Sequence, residues 1–176
     1  MPQFEAAHPV RHAAERMFDL VADVERYPEF VPLCERLTIR DRRERDGRTV
    51  LTADMAVGFK AVHETFTSRV LLDREALAIR ASYIDGPFRH LDNRWRFEPT
   101  GPDASVVHFA IDYEFRSRML AMLMGSQFDR AFRRFTAAFE ARADALYGAP
   151  SPKPPEPPAR PSSPATGGSE AASRSA

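Results

Sequence analysis

From Leu37 to Phe115 apolar and polar side chains alternate almost without a break, and beyond Ser117 the apolar spacing changes to steps of three and four. The first texture predicts consecutive antiparallel strands with one buried and one wet face; the second predicts a long amphipathic helix. "LTIRDRRERDGRTVLTADMAV" reads as two strands joined at Asp46-Gly47, a strong hairpin signal, with Leu51, Ala53, Met55 and Val57 on one face. Val62, Glu64, Phe66, Val70 and Leu72 share the next inner face, then Leu77, Ile79, Ala81 and Tyr83. Leu91, Asn93, Trp95 and Phe97 follow, and Val107, Phe109, Ile111, Tyr113 and Phe115 close the series. Gly58, "GPF" at Gly86 to Phe88 and "PTGPDA" from Pro99 to Ala104 are predicted as turns. Ahead of them, "QFEAAH" reads as a short strand stopped by Pro9. "RHAAERMFDLVADV" reads as a helix buried through Ala14, Met17, Phe18, Val21 and Val24.

In the last helix the buried face is Leu120, Met124, Phe128, Phe132, Phe135, Phe139, Ala143 and Leu146. Ser117 is placed to cap it, Gly148 to end it and Pro150 to prevent its continuing. Roughly thirty residues at ~1.5 Å each make a rod of about 45 Å. Gly125 inside it marks either close approach by a ligand or strand, or a tolerated weak point. The order is strand, helix, short helical turn, antiparallel meander, long helix. This predicts an α+β helix-grip fold, a curved antiparallel sheet wrapped around the C-terminal helix. One helix in a strongly curved sheet seldom fills the concavity, so an apolar pocket is expected.

"DVERYPEFVPLC", Asp23 to Cys34, is too proline-broken for an ordinary helix and too apolar for an ordinary surface loop. Pro28 suits the first turn of a helix and Pro32 forces the chain out, so one short helical turn is expected. Tyr27, Phe30, Val31 and Leu33 then form an apolar lip at the mouth of the pocket, or close the core at that end of the sheet.

Composition narrows the function. With 25 basic and 25 acidic residues the formal net charge is zero, which removes the usual electrostatic reason to expect DNA or RNA as partner. The single cysteine, Cys34, excludes an intrachain disulfide and a multi-cysteine metal site; its apolar context reads as a small hydrophobe. His8, His12, His63, His90 and His108 lack metal-ligand spacing. No G-x-S-x-G, P-loop or dinucleotide fingerprint occurs. No apolar run approaches the ~18 residues of a membrane span, and "MPQFEAAHPV" resembles neither a secretory nor an organellar leader. A bacterial cytoplasmic protein, peripheral at the inner face of the membrane at most, is expected. From Ala149 onward the chain is Pro, Ser, Ala and Gly with scattered charges and no large apolar residue. Two parts are therefore expected, a folded domain over 1–148 and a disordered or polyproline-like tail over 149–176.

The ordered set "DVERYPEFVPLC", "VGF", "ETFTSRV", "GPFRHLDNRWRF" and "YEF" resembles the coenzyme Q-binding START-domain family. That family also contains proteins labelled ribosome association toxin RatA and sits in the polyketide cyclase/dehydrase and lipid transport superfamily. The resemblance spans Phe4 to Gly148. It implies a helix-grip fold and a ubiquinone-binding lipid chaperone that supports respiratory electron transfer, with the membrane surface or respiratory complexes as transient partners. It implies ubiquinone as a bound lipid and no catalytic cofactor. Two other classes stay open: a RatA-like protein that binds the large ribosomal subunit, and a cyclase-type enzyme with Glu64 as acid or base. A ribosome-directed role needs a basic face. Arg40, Arg42, Arg43, Arg45 and Arg48 cluster around the Asp46-Gly47 hairpin, but Asp41, Glu44 and Asp46 interleave with them, which reads as a solvated hairpin.

Within that frame Glu64 faces inward and is placed to bond a quinone oxygen, to pair with an inward arginine, or to be exposed by a register slip. Asn93 is a second inward polar group, donating to a quinone oxygen or holding the core together. Phe59, Phe66, Phe88, Trp95, Phe97 and Tyr113 offer surface to pack an isoprenoid tail and stack a ring. Met119, Met122 and Met124 are pliable enough to adapt to it, or are core. The tail cannot contribute to that core, so truncation after Gly148 leaves the thermal midpoint almost unchanged. A drop of several degrees in a calorimetric scan would show that the tail packs on the domain.

Overall fold

The computed structural model describes residues 3–148, so the proline-rich tail lies outside the described residues. Seven strands form one antiparallel sheet: β1 (Gln3–Val10), β2 (Cys34–Arg45), β3 (Arg48–Phe59), β4 (Val62–Asp73), β5 (Ala78–Asp85), β6 (Phe88–Gly101) and β7 (Ala104–Phe115). Their order is β1-β7-β6-β5-β4-β3-β2, a meander with the first strand added beside the last. Between β1 and β2 run the helix α1 (Ala14–Ala22) and a 3-10 helix over Val24–Glu29. The long helix α2 (Arg118–Tyr147) follows β7 and lies across the inner face.

The alternation sets the register. Across β3 and β4, Ala53 faces Ser68 and Met55 faces Phe66; across β5 and β6, Ala81 faces Asn93 and Ile79 faces Trp95. On β7, Val107, Phe109, Ile111, Tyr113 and Phe115 are all buried, as period two requires. Asp46 and Gly47 have φ of 53° and 73°, the left-handed pair that a two-residue hairpin needs. Gly86, with φ 138°, lets the β5–β6 turn lie against Phe66; a Cβ there would stand 2.7 Å from the Phe66 Cβ.

Several boundaries differ from the sequence expectation. Pro9 does not stop β1; it pairs with Val106, and β1 tolerates a proline because it is an edge strand. Gly58 lies inside β3, and the turn is at Lys60 and Ala61. The β6–β7 turn is only Pro102 and Asp103, because Gly101 already pairs with Ala104. Pro28 sits near the end of the 3-10 helix rather than in a first turn, and Val24 belongs to that helix, not to α1.

The α2 pattern holds over most of its length. The Ser117 hydroxyl accepts from the Leu120 amide at 3.3 Å, and Gly148 ends the helix with φ 88°. Met124, Phe128, Phe132, Phe139 and Ala143 are buried, but Leu146 is exposed in the last turn. The C-terminal half of α2 is tied to the opening of the chain. His8 bonds Glu140, His12 Nε2 lies 2.6 Å from Asp144 Oδ1, and the Tyr147 hydroxyl donates to the Arg16 carbonyl at 3.3 Å.

A Cβ at Gly125 would meet no atom of the described residues within 4 Å, so no strand approaches it. A helical glycine in open space stabilises nothing, and Gly125→Ala should raise stability by about 0.5–1 kcal/mol. Denaturant melts check this; a lower midpoint would mean that the site is crowded.

Candidate functional site

The cavity between sheet and helix exists because the inner face is unevenly filled. On the β6–β7 side bulky rings interlock. Phe88 stacks on Phe115 at 4.9 Å and meets Phe66, Tyr113 and Phe128 edge-on, while Trp95 meets Phe109 and Phe139 at 4.7 and 5.0 Å. On the β3–β5 side the facing positions are Ala53, Ser68 and Ala81, opposite Ala131 of α2. These side chains are too short to reach the helix, and about 110 Å³ is left over.

The floor also includes Met55, Val70, Ile79 and Ile111, and the roof is Phe128, Phe132, Phe135 and Phe139. Val24, Tyr27, Val31, Pro32 and Leu33 close one end. No Asp, Glu, Lys, Arg or His lines the cavity among the described residues. The non-ring polar groups in the lining are Ser68 and Asn93. The Asn93 amide donates to the Ala110 carbonyl at 3.0 Å, and its Oδ1 accepts from the Trp95 indole N–H at 2.9 Å. One N–H and one lone pair of that carboxamide remain for a guest. Ser68 is a buried residue, and its hydroxyl, which keeps some exposure, makes no hydrogen bond among the described residues.

The proline-bracketed segment is built as a wedge. The Tyr27 hydroxyl donates to the Val21 carbonyl, and the Tyr27 ring meets Phe139 edge-on at 5.4 Å. Burial, reinforced by Cys34 and Asp23, pushes the Tyr27 hydroxyl far above its ordinary pKa, so it stays a neutral donor. Phe30 meets Phe139 edge-on at 5.0 Å and carries the Arg142 guanidinium over its ring at 5.2 Å. Arg142 Nη2 also bonds Glu29 Oε2, which clasps the 3-10 helix to α2. Leu33 has φ 66°, a strained value for a branched side chain, and its carbonyl accepts from the Gly58 amide at 3.1 Å.

Of the residues singled out from sequence, Tyr27, Val31, Leu33, Phe66, Asn93 and Trp95 come together on the cavity wall. The others lie off it. Phe30 packs outside, under Arg142. Phe59 is half-buried at the β3–β4 turn with the Lys60 ammonium 5.3 Å from its ring. Phe88, Tyr113 and Met124 are buried at the end of the sheet where α2 begins. Glu64 is half-buried opposite Val57, on the inner side by alternation but beyond the cavity, and it pairs with no arginine among the described residues. Met119 and Met122 are exposed, on the side of α2 away from Met124.

Cys34 is buried, and burial, assisted by Glu35 and opposed by the contact to the Arg36 carbonyl, pushes its thiol up to about 11. Such a thiol stays protonated near neutrality and is no nucleophile.

Sequence reasoning passed over Tyr83. It shares the inner face with Ala81 and pairs across the strands with Ser68, yet its hydroxyl is buried without a hydrogen-bond partner among the described residues. The ring stands edge-on to Phe88 at 5.8 Å, just behind the cavity wall. The signal was present in the Ile79, Ala81, Tyr83 alternation, but an aromatic there reads as core. A buried hydroxyl with nothing to bond costs stability, so Tyr83→Phe should stabilise the protein by about 1–3 kcal/mol. A destabilised variant in a thermal melt would mean that the hydroxyl is satisfied in the free protein.

The family model described as polyketide cyclase / dehydrase and lipid transport matches residues 10–140. Ribosome association toxin RatA of Vibrio cholerae is 33% identical over 148 residues, covering 84% of this chain and 99% of that protein. The mitochondrial coenzyme Q-binding protein COQ10 homolog B of Xenopus laevis is 35% identical over 138 residues, 76% of this chain and 54% of that one. The solution structure of the 18 kDa protein CC1736 from Caulobacter crescentus superposes with a TM-score of 0.70 at 36% identity, covering 85% of this chain and all of that one.

Proposed function

The chain belongs to the polyketide cyclase / dehydrase and lipid transport family, and from that premise we propose that it binds a neutral isoprenoid quinone of the ubiquinone type in the apolar cavity, as a lipid chaperone supporting respiratory electron transport. The lining carries this reading. It is almost wholly hydrocarbon and aromatic, with the Asn93 carboxamide and the Ser68 hydroxyl to orient a polar head, the Tyr27 hydroxyl being engaged by the Val21 carbonyl. A charged ligand would enter such a site with no counter-charge to offset its desolvation. A neutral ring with carbonyl oxygens and a long hydrocarbon tail meets no such penalty. The name of the Xenopus relative supports the same ligand class.

The volume sets a condition. A cavity of 110 Å³ is smaller than the ~300–1,000 Å³ of pockets that enclose a small molecule. Loading therefore widens it. Widening toward Phe66 and Phe88 brings the unpartnered Tyr83 hydroxyl to the ligand, where it donates to a quinone oxygen beside Ser68 and Asn93. Widening at the other end displaces the segment from Tyr27 to Leu33, where the lip was expected. Cyclase-type catalysis calls for an acid or base against the substrate, and Glu64 stands outside the lining.

A ribosome-directed activity is the second reading, favoured by the name of the Vibrio relative, which this chain matches almost end to end. It would use the outer surface. Four of the five arginines of the β2–β3 hairpin are already paired, Arg40, Arg43, Arg45 and Arg48 with Asp54, Asp41, Asp46 and Asp73, which leaves Arg42 without an ion pair among the described residues.

Protein purified from quinone-producing cells and extracted with organic solvent should yield, by mass spectrometry, about one quinone per chain. Ala81→Leu fills the floor of the cavity and should cut the retained quinone by about tenfold with the fold intact. Repeated extraction of no quinone, together with no uptake of added quinone, would overturn the proposal. Sedimentation with large ribosomal subunits under those conditions would favour the second reading.

A further inference from the structure

We infer that the N-terminal half of α2 is a docking surface for a bilayer carrying anionic phospholipid. The inference stands on the outer surface of the helix and is independent of what the cavity holds. Of the five large apolar side chains exposed among the described residues, three lie in this short stretch: Met119 at 71%, Met122 at 82% and Leu123 at 54% exposure. Steps of three and four put them on the face opposite the buried Met124, Phe128 and Phe132. Nothing in the core calls for them, since Leu120 and Met124 already supply the inward contacts of these turns.

Along this stretch of the helix the charge is mostly of one sign. From Arg118 to Phe139 the helix carries four arginines and one acid, Asp129. Asp129 is bonded to Arg133 at 3.1 Å. Arg118, Arg130 and Arg134 are exposed and form no ion pair among the described residues. Arg130 and Arg134 continue the exposed face two to three turns beyond Leu123. The Phe59–Lys60 turn lies at the same end of the sheet, with Lys60 exposed.

Two requirements must be met together, cover for the apolar side chains and anions for the arginines. A second copy of this chain would bring the same arginines against each other. Ribosomal RNA would satisfy the arginines and leave Met119, Met122 and Leu123 in water. An anionic lipid surface takes both, the side chains entering the acyl boundary and the guanidinium groups resting among the phosphates. Flexible methionines suit a boundary of that kind, which has no fixed shape.

The test is cosedimentation of the full chain with vesicles of phosphatidylcholine alone and of phosphatidylcholine with phosphatidylglycerol. The chain should bind the anionic vesicles, lose binding at high salt, and bind the neutral ones weakly. Met122→Glu combined with Leu123→Glu should lower binding about tenfold, and so should Arg130→Glu combined with Arg134→Glu. All four positions are exposed, so circular dichroism of both double variants should match that of the parent. Parent and variants binding anionic vesicles alike would overturn the inference, as would no binding by the parent. A dimer in solution abolished by Met122→Glu, or sedimentation with ribosomal particles lost with Arg130→Glu and Arg134→Glu, each without vesicle binding, would overturn it in favour of the corresponding partner.

Discussion

A single helix cannot fill the concave side of a seven-stranded sheet, and the rest of the structure follows from where the shortfall is left. The inner face must be apolar along every strand to bury itself on α2. Its bulk is concentrated on β6 and β7, where Phe88, Trp95, Phe109 and Tyr113 interlock with Phe128, Phe132 and Phe139 of the helix. On β3, β4 and β5 the row Ala53, Ser68 and Ala81 stops short. An empty volume of 110 Å³ costs on the order of 2–3 kcal/mol relative to a filled core. A guest that occupies it gains what the core has forgone.

The two halves of α2 are held differently. The C-terminal half is fastened by Glu140 and Asp144 to His8 and His12, and by Arg142 to Glu29. The N-terminal half has its Ser117 cap and its buried Met124 and Phe128, but its outer face carries Met119, Met122 and Leu123, exposed among the described residues. The cavity lies under the middle of the helix, from Phe128 to Phe139. A helix anchored at one end, with the cavity roofed by its middle and apolar side chains exposed at the other end, places the cavity between a rigid support and an exposed apolar face.

Much of this was legible in the sequence for simple reasons. Period two marks which face a strand residue occupies, so Phe66, Asn93 and Trp95 were assignable to the inner side, and they line the cavity. Period 3.6 and the Ser117 and Gly148 signals bounded α2. Alternation gives a face but not a depth along the strand. Glu64 has the expected face yet sits past the cavity, opposite Val57 near the end of β3. Phe88 and Tyr113 likewise have the right face but join the ring cluster instead of the wall. Edge position depends on topology, so Pro9 looked like a stop when it is a tolerated residue in an outer strand. Met119 and Met122 were grouped with Met124 by residue type, although the helical period already separated them.

Trp95 gives the account its most direct test. It is the only tryptophan of the chain and its ring is part of the cavity wall. A short-chain ubiquinone analogue titrated into the purified protein should quench its fluorescence saturably at about one equivalent, because a quinone in the cavity stands in contact with the indole. Quenching that rises linearly with added quinone, as for free tryptophan in solution, would mean that the ligand does not enter, and would contradict the claim that the space between α2 and the Ala53–Ser68–Ala81 row is a lipid site.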